Sequence, residues 1–318
     1  MIGFLNINKP KGLTSHDVVA RVRQIVSRTT GRKVKVGHAG TLDPAATGVL
    51  PVAVGQATRL IEYLTNTSKG YRTVVQLGIT TDTDDAEGTV IAERPVPVLD
   101  QGTVEKTITT FCGTIMQVPP MYSAVHHHGK RLYELARANQ TVERPPRQVT
   151  VEQIDDQTAY PLTDQLVLDI VCSKGTYIRS LARDIGEALG CGAHVAMLER
   201  THVGPFSLEN AVSLAALQEE DGLLEQVLLP PETGVAHLPS VSLDEEQAKR
   251  VGHGLPVDLP VDLPVNLPVN LPPDLPSIEP VTERVRAHTS TGVLVALLCR
   301  RGDQWHPEKV LPHIARTE

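Results

Sequence analysis

Aromatic side chains are scarce in this chain: three Phe, six Tyr and one Trp make up 3% of it. That is too few to stack a long single strand of nucleic acid. The four cysteines, Cys112, Cys172, Cys191 and Cys299, form no CxxC pair, which excludes the usual zinc and disulfide frameworks and predicts buried free thiols. No long apolar run is present. Near the N-terminus the stretch IGFLNI gives way to Asn8-Lys9, too short for a signal-peptide core or a membrane span, so a cytoplasmic protein off the membrane is expected. Neither G-x-x-x-x-G-K-[ST] nor G-x-G-x-x-G after a strand occurs, which leaves nucleotide chemistry without a foothold. The acidic run TDTDDAEG (81–88) puts Ala86 and Glu87 where an EF-hand needs a ligand and a glycine. The adjacent His126, His127 and His128 have no partner at metal-ligand spacing and read as a solvated loop. No metal and no cofactor is expected.

What is present fits a soluble globular chain, with 41% hydrophobic and 21% charged residues over 318 positions, enough for about two domains. The net charge of −7 conceals an uneven distribution. Residues 1–72 hold eleven Lys/Arg against three acids, a net of +8, and residues 209–280 hold two bases against thirteen acids, a net of −11. A basic N-terminal region suggests a polyanion partner for one face, although a solvated surface would look the same. In TSHDVVARVRQIV a [ST]-x-x-[DE] capping pattern at Thr14 and Asp17 leads into Val18, Val19, Val22, Ile25 and Val26 on one helical face, with Arg21, Arg23 and Arg28 on the others. Strands are expected from Tyr71 in YRTVVQLGI and in LVLDIVC, and a helix in TYIRSLARDIGEALG closed by Gly190. Strands and helices interleave without steady alternation, which predicts an α+β core. From Leu255 to Pro276 a Leu-Pro-Val-Asp/Asn repeat is too proline-dense for helix or ladder and reads as an extended linker. It lies within or just before a small β module formed by VRAHTSTGVLVALLCRRGDQWHPEKVL.

One carboxylate stands apart. GHAGTLDPAATGVLP (37–51) holds Asp43 among Gly37, Ala39, Gly40, Thr41, Ala45, Ala46, Thr47 and Gly48. Asp followed by Pro is a good helix start, so Asp43 could simply cap AATGVL. Gly48 and Pro51 leave little helix to cap, however, and small residues suit a backbone that a ligand approaches closely. A loop that a ligand can approach closely, carrying a carboxylate, is the alternative.

Several long motifs carry a resemblance. KPKGLTS (9–15), GHAGTLDPAATGVLPVAVGQATR (37–59), KGYR (69–72), LGITTDTDDAEG (77–88), PPMYSA (119–124), GKRLYELAR (129–137), CSKGTYIRSLARDIG (172–186) and LGCGAHVAMLER (189–200) run in order as in the TruB family of bacterial tRNA pseudouridine-55 synthases, which the chain resembles over about residues 1–210. The resemblance implies a pseudouridine-synthase core, a mixed and largely antiparallel sheet flanked by helices and loops. It also implies a catalytic domain at 1–232 and a PUA-like module at 233–318, with the proline-rich insertion at about 255–280. It implies cofactor-free conversion of uridine to pseudouridine at position 55 in the tRNA T loop, with the base flipped out. In that scheme Asp43 acts at the sugar, much as a glycosidase carboxylate meets an oxocarbenium-like centre. Arg179 pairs with it, Tyr71 stacks on the base, Leu198 lines the uracil pocket and Tyr177 supports the site. His38 enters the vacated stack, while Lys9 and Lys11 hold phosphates. The expected partner is the tRNA T stem-loop, met by a monomer that needs no other protein. The chain departs from the family at His126–His128, where a lysine-containing stretch is usual. Two other classes compete. A tRNA-binding or folding-assistance module is disfavoured by the intact Asp43, Tyr71 and Arg179, and an isomerase within a guide complex by the absence of a long basic tail.

Overall fold

The computed structural model describes residues 1–123, 126, 127, 129–138, 140, 142–259 and 284–311. It begins with strand β1 (Gly3–Lys9), helix α1 (Ser15–Thr30) and strands β2 (Val36–His38), β3 (Thr47–Val54) and β4 (Lys69–Leu77). Strands β5 (Gly113–Gln117), β6 (Arg147–Asp156) and β7 (Gln165–Cys172), helix α2 (Ile178–Ala188) and strand β8 (Ala193–Val203) complete the main sheet. Its order is β1-β3-β8-β4-β7-β6-β5, with the short strand Val212–Ser213 beyond β1 and β2 paired to β3. Only β3 with β8 and β1 with Val212–Ser213 run parallel; the other neighbours are antiparallel. The fold is thus α+β with a mixed, largely antiparallel sheet, as the sequence predicts.

Local chemistry accounts for the elements. Thr14 Oγ1 accepts from Asp17 N at 3.1 Å while the Asp17 carboxylate accepts from Thr14 N at 2.9 Å, closing a capping box on α1. The helix ends at Gly31 in the left-handed region. Val18, Val19, Val22, Ile25 and Val26 bury against Leu5 and Ile7 of β1 and Leu50, Val52 and Val54 of β3, each worth about 1.5–3 kcal/mol of burial. Alternation sends Phe4, Val49 and Ala53 to the opposite face. Farther along the sheet, α2 lays Ile178, Leu181, Ala182 and Ile185 on a core that includes Val75, Leu166, Leu168 and Ile170.

A second sheet orders Ser240–Leu243, Arg284–Thr289, Leu294–Arg301 and Gln304–Val310 side by side, with helix Glu245–Gly252 started by a capping box between Asp244 and Gln247. It is seated against the main sheet and the elements around it. Leu294, Leu297 and Leu311 share one apolar cluster with Phe4, Leu60, Tyr63 and Leu64, and Arg59 Nη1 donates to Val310 O at 2.6 Å. The division expected at residue 233 falls inside a short 3-10 helix, Pro231–Val235, whose Val235 packs in that same cluster. The linker reading needs one correction. Val257 is buried and exchanges backbone hydrogen bonds with Trp305 at 2.9 and 3.0 Å, and Leu259 is buried as well, so the repeat opens as part of the module. The remainder of the repeat, 260–276, lies outside the described residues, as does His128. His126 and His127 form a short ladder with Lys130 and Arg131 in place of the expected loop.

Candidate active site

Asp43 sits in a turn, and neither a helix nor a long loop follows it. Ala46 N donates to Asp43 O at 3.1 Å, after which the chain enters β3 at Thr47. Gly48 and Pro51 therefore lie within a strand, where they were expected to stop a helix or to belong to a loop. Gly48 has φ of 99°, and a Cβ there would overlap the backbone of Arg200. Only glycine lets β3 approach β8 at that point. Pro51 costs the sheet little, because its carbonyl still accepts from Ala39 N at 2.9 Å.

The turn is held from both sides by the KPKGLTS segment. Ser15 Oγ, buried, accepts from Leu42 N at 2.8 Å and lies 3.2 Å from Leu42 O. Gly12 N donates to Pro44 O at 2.8 Å. Lys9 is fully buried, and its ammonium donates to Pro10 O, Leu13 O and Pro44 O at 3.0, 2.8 and 3.3 Å. Burial brings its pKa down to about 8, with Asp43 acting in the opposite direction and Arg200 adding to the fall. This corrects the expectation that Lys9 holds a phosphate. Its three protons are already engaged, so it acts as a clamp on the Asp43-Pro44 turn. Lys11, by contrast, is well exposed and 4.0 Å from Glu87, free to meet an anion.

Arg179 stands at the first turn of α2, only 5% exposed. Its Nη2 lies 2.9 Å from Asp43 Oδ2 and donates to Tyr122 O at 2.7 Å; Nη1 donates to Thr83 O at 2.9 Å and lies 3.6 Å from Asp85 Oδ2. The acidic TDTDDAEG segment is thus the back wall that orients this guanidinium. Asp84 belongs to the same wall, 3.0 Å from Arg183. A planar donor fork held on two carbonyls and one carboxylate has a single direction left in which to present itself. That direction is towards Asp43, whose side chain keeps 42% exposure.

A cavity of about 300 Å³ opens there, lined by Asp43, Tyr71, Tyr177, Arg179, Leu198 and Arg200 among others. The structure therefore brings together five of the residues singled out in the sequence: Asp43, Tyr71, Tyr177, Arg179 and Leu198. Tyr71 is buried, which raises its phenol pKa, with Arg200 opposing that shift. Tyr177 precedes α2, pinned by Gln117, which accepts from its N at 2.8 Å and donates to its O at 3.1 Å. Two buried cations of the cavity wall, Arg200 and Lys69, were not singled out. Arg200 is 1% exposed and donates to Val49 O, Thr41 O and Gly40 O at 2.8, 3.3 and 3.1 Å. Lys69 donates to Thr65 O and Thr67 O at 3.0 and 2.8 Å, and burial, then Arg200, brings its pKa down to about 8. Alternation carried a usable signal for both, since Arg200 follows Leu198 by two positions and Lys69 precedes Tyr71 by two.

His38 is not among the residues lining the cavity. It lies on β2 with its ring edge-on to His16, centroids 5.4 Å apart. Burial first, then the positive character of His16 and Arg200, lowers its pKa, so the ring is neutral near pH 7. Among the described residues, no three His, Cys, Asp or Glu side chains gather as a metal cluster, and no helix is long and apolar enough to cross a membrane.

Geometry of this kind has close counterparts. Residues 27–178 match the TruB family pseudouridylate synthase N-terminal domain, and residues 179–236 match the tRNA pseudouridylate synthase B C-terminal domain. Among solved structures, a Cbf5-Nop10-Gar1 complex is similar with a TM-score of 0.69 at 28% identity, over 97% of this chain and 84% of that one. An H/ACA ribonucleoprotein bound to a substrate RNA containing 2′-deoxyuridine gives 0.67 at 26% identity, over 97% and 84% of the two chains. Fold and site together define a pseudouridine synthase. The tRNA pseudouridine synthase B of Dehalococcoides mccartyi is 44% identical over 98% of this chain and 96% of its own length, and that of Gloeobacter violaceus is 48% identical over 81% and 88%. The chain belongs to the TruB family.

Proposed function

We propose that this protein isomerises uridine to pseudouridine at position 55 in the T loop of tRNA, with Asp43 acting at the sugar of the flipped nucleotide. The observation that carries the reading is the 2.9 Å pairing of Asp43 with a buried Arg179 at the edge of a cavity that Tyr71 and Leu198 also line. The reaction breaks the N1–C1′ bond, turns the uracil and closes a C5–C1′ bond. One proton leaves C5 and one reaches N1, so nothing is consumed and no cofactor is required. Asp43 meets the electron-poor sugar, by attack at C1′ or by taking a proton from C2′. Arg179 keeps the carboxylate aimed, Tyr71 stacks on the base and receives the C5 proton, Tyr177 walls the cavity, and Leu198 excludes water. His38 fills the space the base vacates, outside the cavity, and Lys11 with Arg21, Arg23 and Arg28 meets phosphates. Residues 1–232 carry the chemistry and 233–318 form an accessory module. The enzyme works as a cytoplasmic monomer without a protein partner.

The test is tritium release from C5-labelled uridine in unmodified tRNA transcripts, with tRNA retention on filters measured alongside. Asp43→Asn is expected to abolish release and keep most binding, because a carboxylate is lost while the phosphate contacts stay. Equal release from both proteins would overturn the assignment. No release from the wild type would leave a binding module.

A further inference from the structure

Among the described residues Arg200 is the largest fully buried side chain, and neither the pairing with Asp43 nor the phosphate contacts uses it. Its position is unusual in a second way. Among the described residues it has no carboxylate within ion-pair distance, and a buried guanidinium without a counter-ion is costly to keep. Its hydrogen bonds go to carbonyls of the Gly40–Thr41 loop and of Val49. What faces it is Tyr71, its direct partner across the β8–β4 ladder. Both side chains line the same cavity.

We propose that Arg200 is a positioning residue for the isomerisation: its guanidinium, fixed by three backbone carbonyls, orients the Tyr71 phenol and sets a positive charge beside the oxygen that receives the C5 proton. The inference rests on the role given to Tyr71 above. In the step concerned the C5–H bond breaks, its electron pair returns to the ring and restores the pyrimidine double bond, and the proton passes to the phenolate oxygen of Tyr71. The uracil nitrogen N1, freed from the sugar, takes its proton from water, so the atoms balance. Burial of Tyr71 works against the phenolate and Arg200 works for it, which explains why a cation is kept there without a carboxylate to neutralise it. The other charged or titratable groups around the phenol are Asp43 from the turn before β3, Lys69 on its own strand, Cys172 at the end of β7, Lys174 in the following turn, and Tyr177 and Arg179 at the start of α2. Of these, Lys69 has its pKa brought down to about 8 by burial, inside the range scanned, so the experiment has to separate it from the phenol.

Single-turnover tritium release is measured from pH 6 to 10 for wild type, Arg200→Met, Arg200→Lys and Tyr71→Phe. Burial holds the phenol above its ordinary range, so wild-type release should climb through the window as one ascending limb without levelling, and Arg200→Met should climb along a lower line. Its rate at pH 7.5 should fall tenfold or more, with KM for tRNA within threefold of wild type. Arg200→Lys should recover most of the rate, because the charge is kept. Global replacement of tyrosine by 3-fluorotyrosine, whose phenol is more acidic, should shift the limb downward in wild type and in Arg200→Lys. A limb that ignores the fluorinated phenol would belong to Lys69 and would overturn the proposal even if Arg200→Met fails to fold. An equal loss of rate in Arg200→Met and Arg200→Lys would mark a merely structural role and overturn it too. Full activity in Tyr71→Phe would instead sink the role of Tyr71 beneath it.

Discussion

Replacing Gly48 by alanine adds one methyl group at the point where β3 meets β8, and its cost can be worked from the local geometry. The backbone at Gly48 has φ of 99°, a region an L-residue enters at a cost of about 1–3 kcal/mol. The added Cβ would also lie 2.8 Å from Arg200 N and nearer still to Arg200 O. Neither atom is the end of a flexible side chain, so the strands must part, an overpacking penalty of about 1–3 kcal/mol more. The sum is about 2–6 kcal/mol, which in a domain of this size lowers the melting temperature by about 4–24 °C. Parting β3 from β8 also moves the Asp43 turn relative to Arg200, and displacement of a reacting group by about 1 Å costs on the order of 100-fold in rate. Calorimetry and tritium release on Gly48→Ala measure both. A variant with unchanged melting temperature and rate would refute the claim that this glycine sets the distance between the carboxylate turn and its cationic wall.

Three further outcomes follow from the same contacts. Ser15→Ala removes the hydroxyl that holds Leu42 N and should cost about 1–3 kcal/mol of stability, with a tenfold or greater loss of turnover and unchanged filter binding of tRNA; full turnover would show that the Asp43 turn holds itself. His237 has its pKa brought down to about 4 by burial and then by Arg286. The folded protein keeps it neutral where the unfolded chain protonates it, so stability falls as pH drops from 6.5 to about 4, by up to about 1.4 kcal/mol per pH unit. Denaturant titrations should find His237→Gln less acid-sensitive across that window, and an identical slope would count against the reading. Val257→Asp places a charge in the core of the C-terminal module, where Val257 is buried beside Trp305, and should cost several kcal/mol. The protein has a single tryptophan, so a red shift of its emission at a lower temperature than in wild type reports the loss.

Legibility in the sequence depended on the range of the interaction. The capping box at Thr14 and Asp17, the apolar face of α1 and the strand character of β4 and β7 are local, set by side chains a few positions apart, and all appear as read. Asp43 and Arg179 were recognisable from their motifs, yet neither residue carries in its neighbourhood the reason it points at the other. That reason is distributed over Thr83, Asp85 and Tyr122. The acidic run looked like a failed calcium loop because its partner, the guanidinium, lies about a hundred positions away along the chain.

Lys9 shows the same limit from the other side. A lysine near the start of a basic region is ordinarily solvated and available to phosphate, and only the closing of the Asp43-Pro44 turn over it makes it a buried clamp. Gly48 and Pro51 looked like helix breakers because chain-local rules assign them that meaning; the register of β3 between β1 and β8 makes one a close-approach point and the other a tolerated strand residue. By itself the sequence determined helices α1 and α2, strands β4 and β7 and the α+β class, and it singled out Asp43, because periodicity, capping and motif are written in neighbouring residues. The tertiary structure alone decided which cations surround that carboxylate and which of them are spent on carbonyls, because burial and hydrogen-bond partners exist only once distant strands have paired.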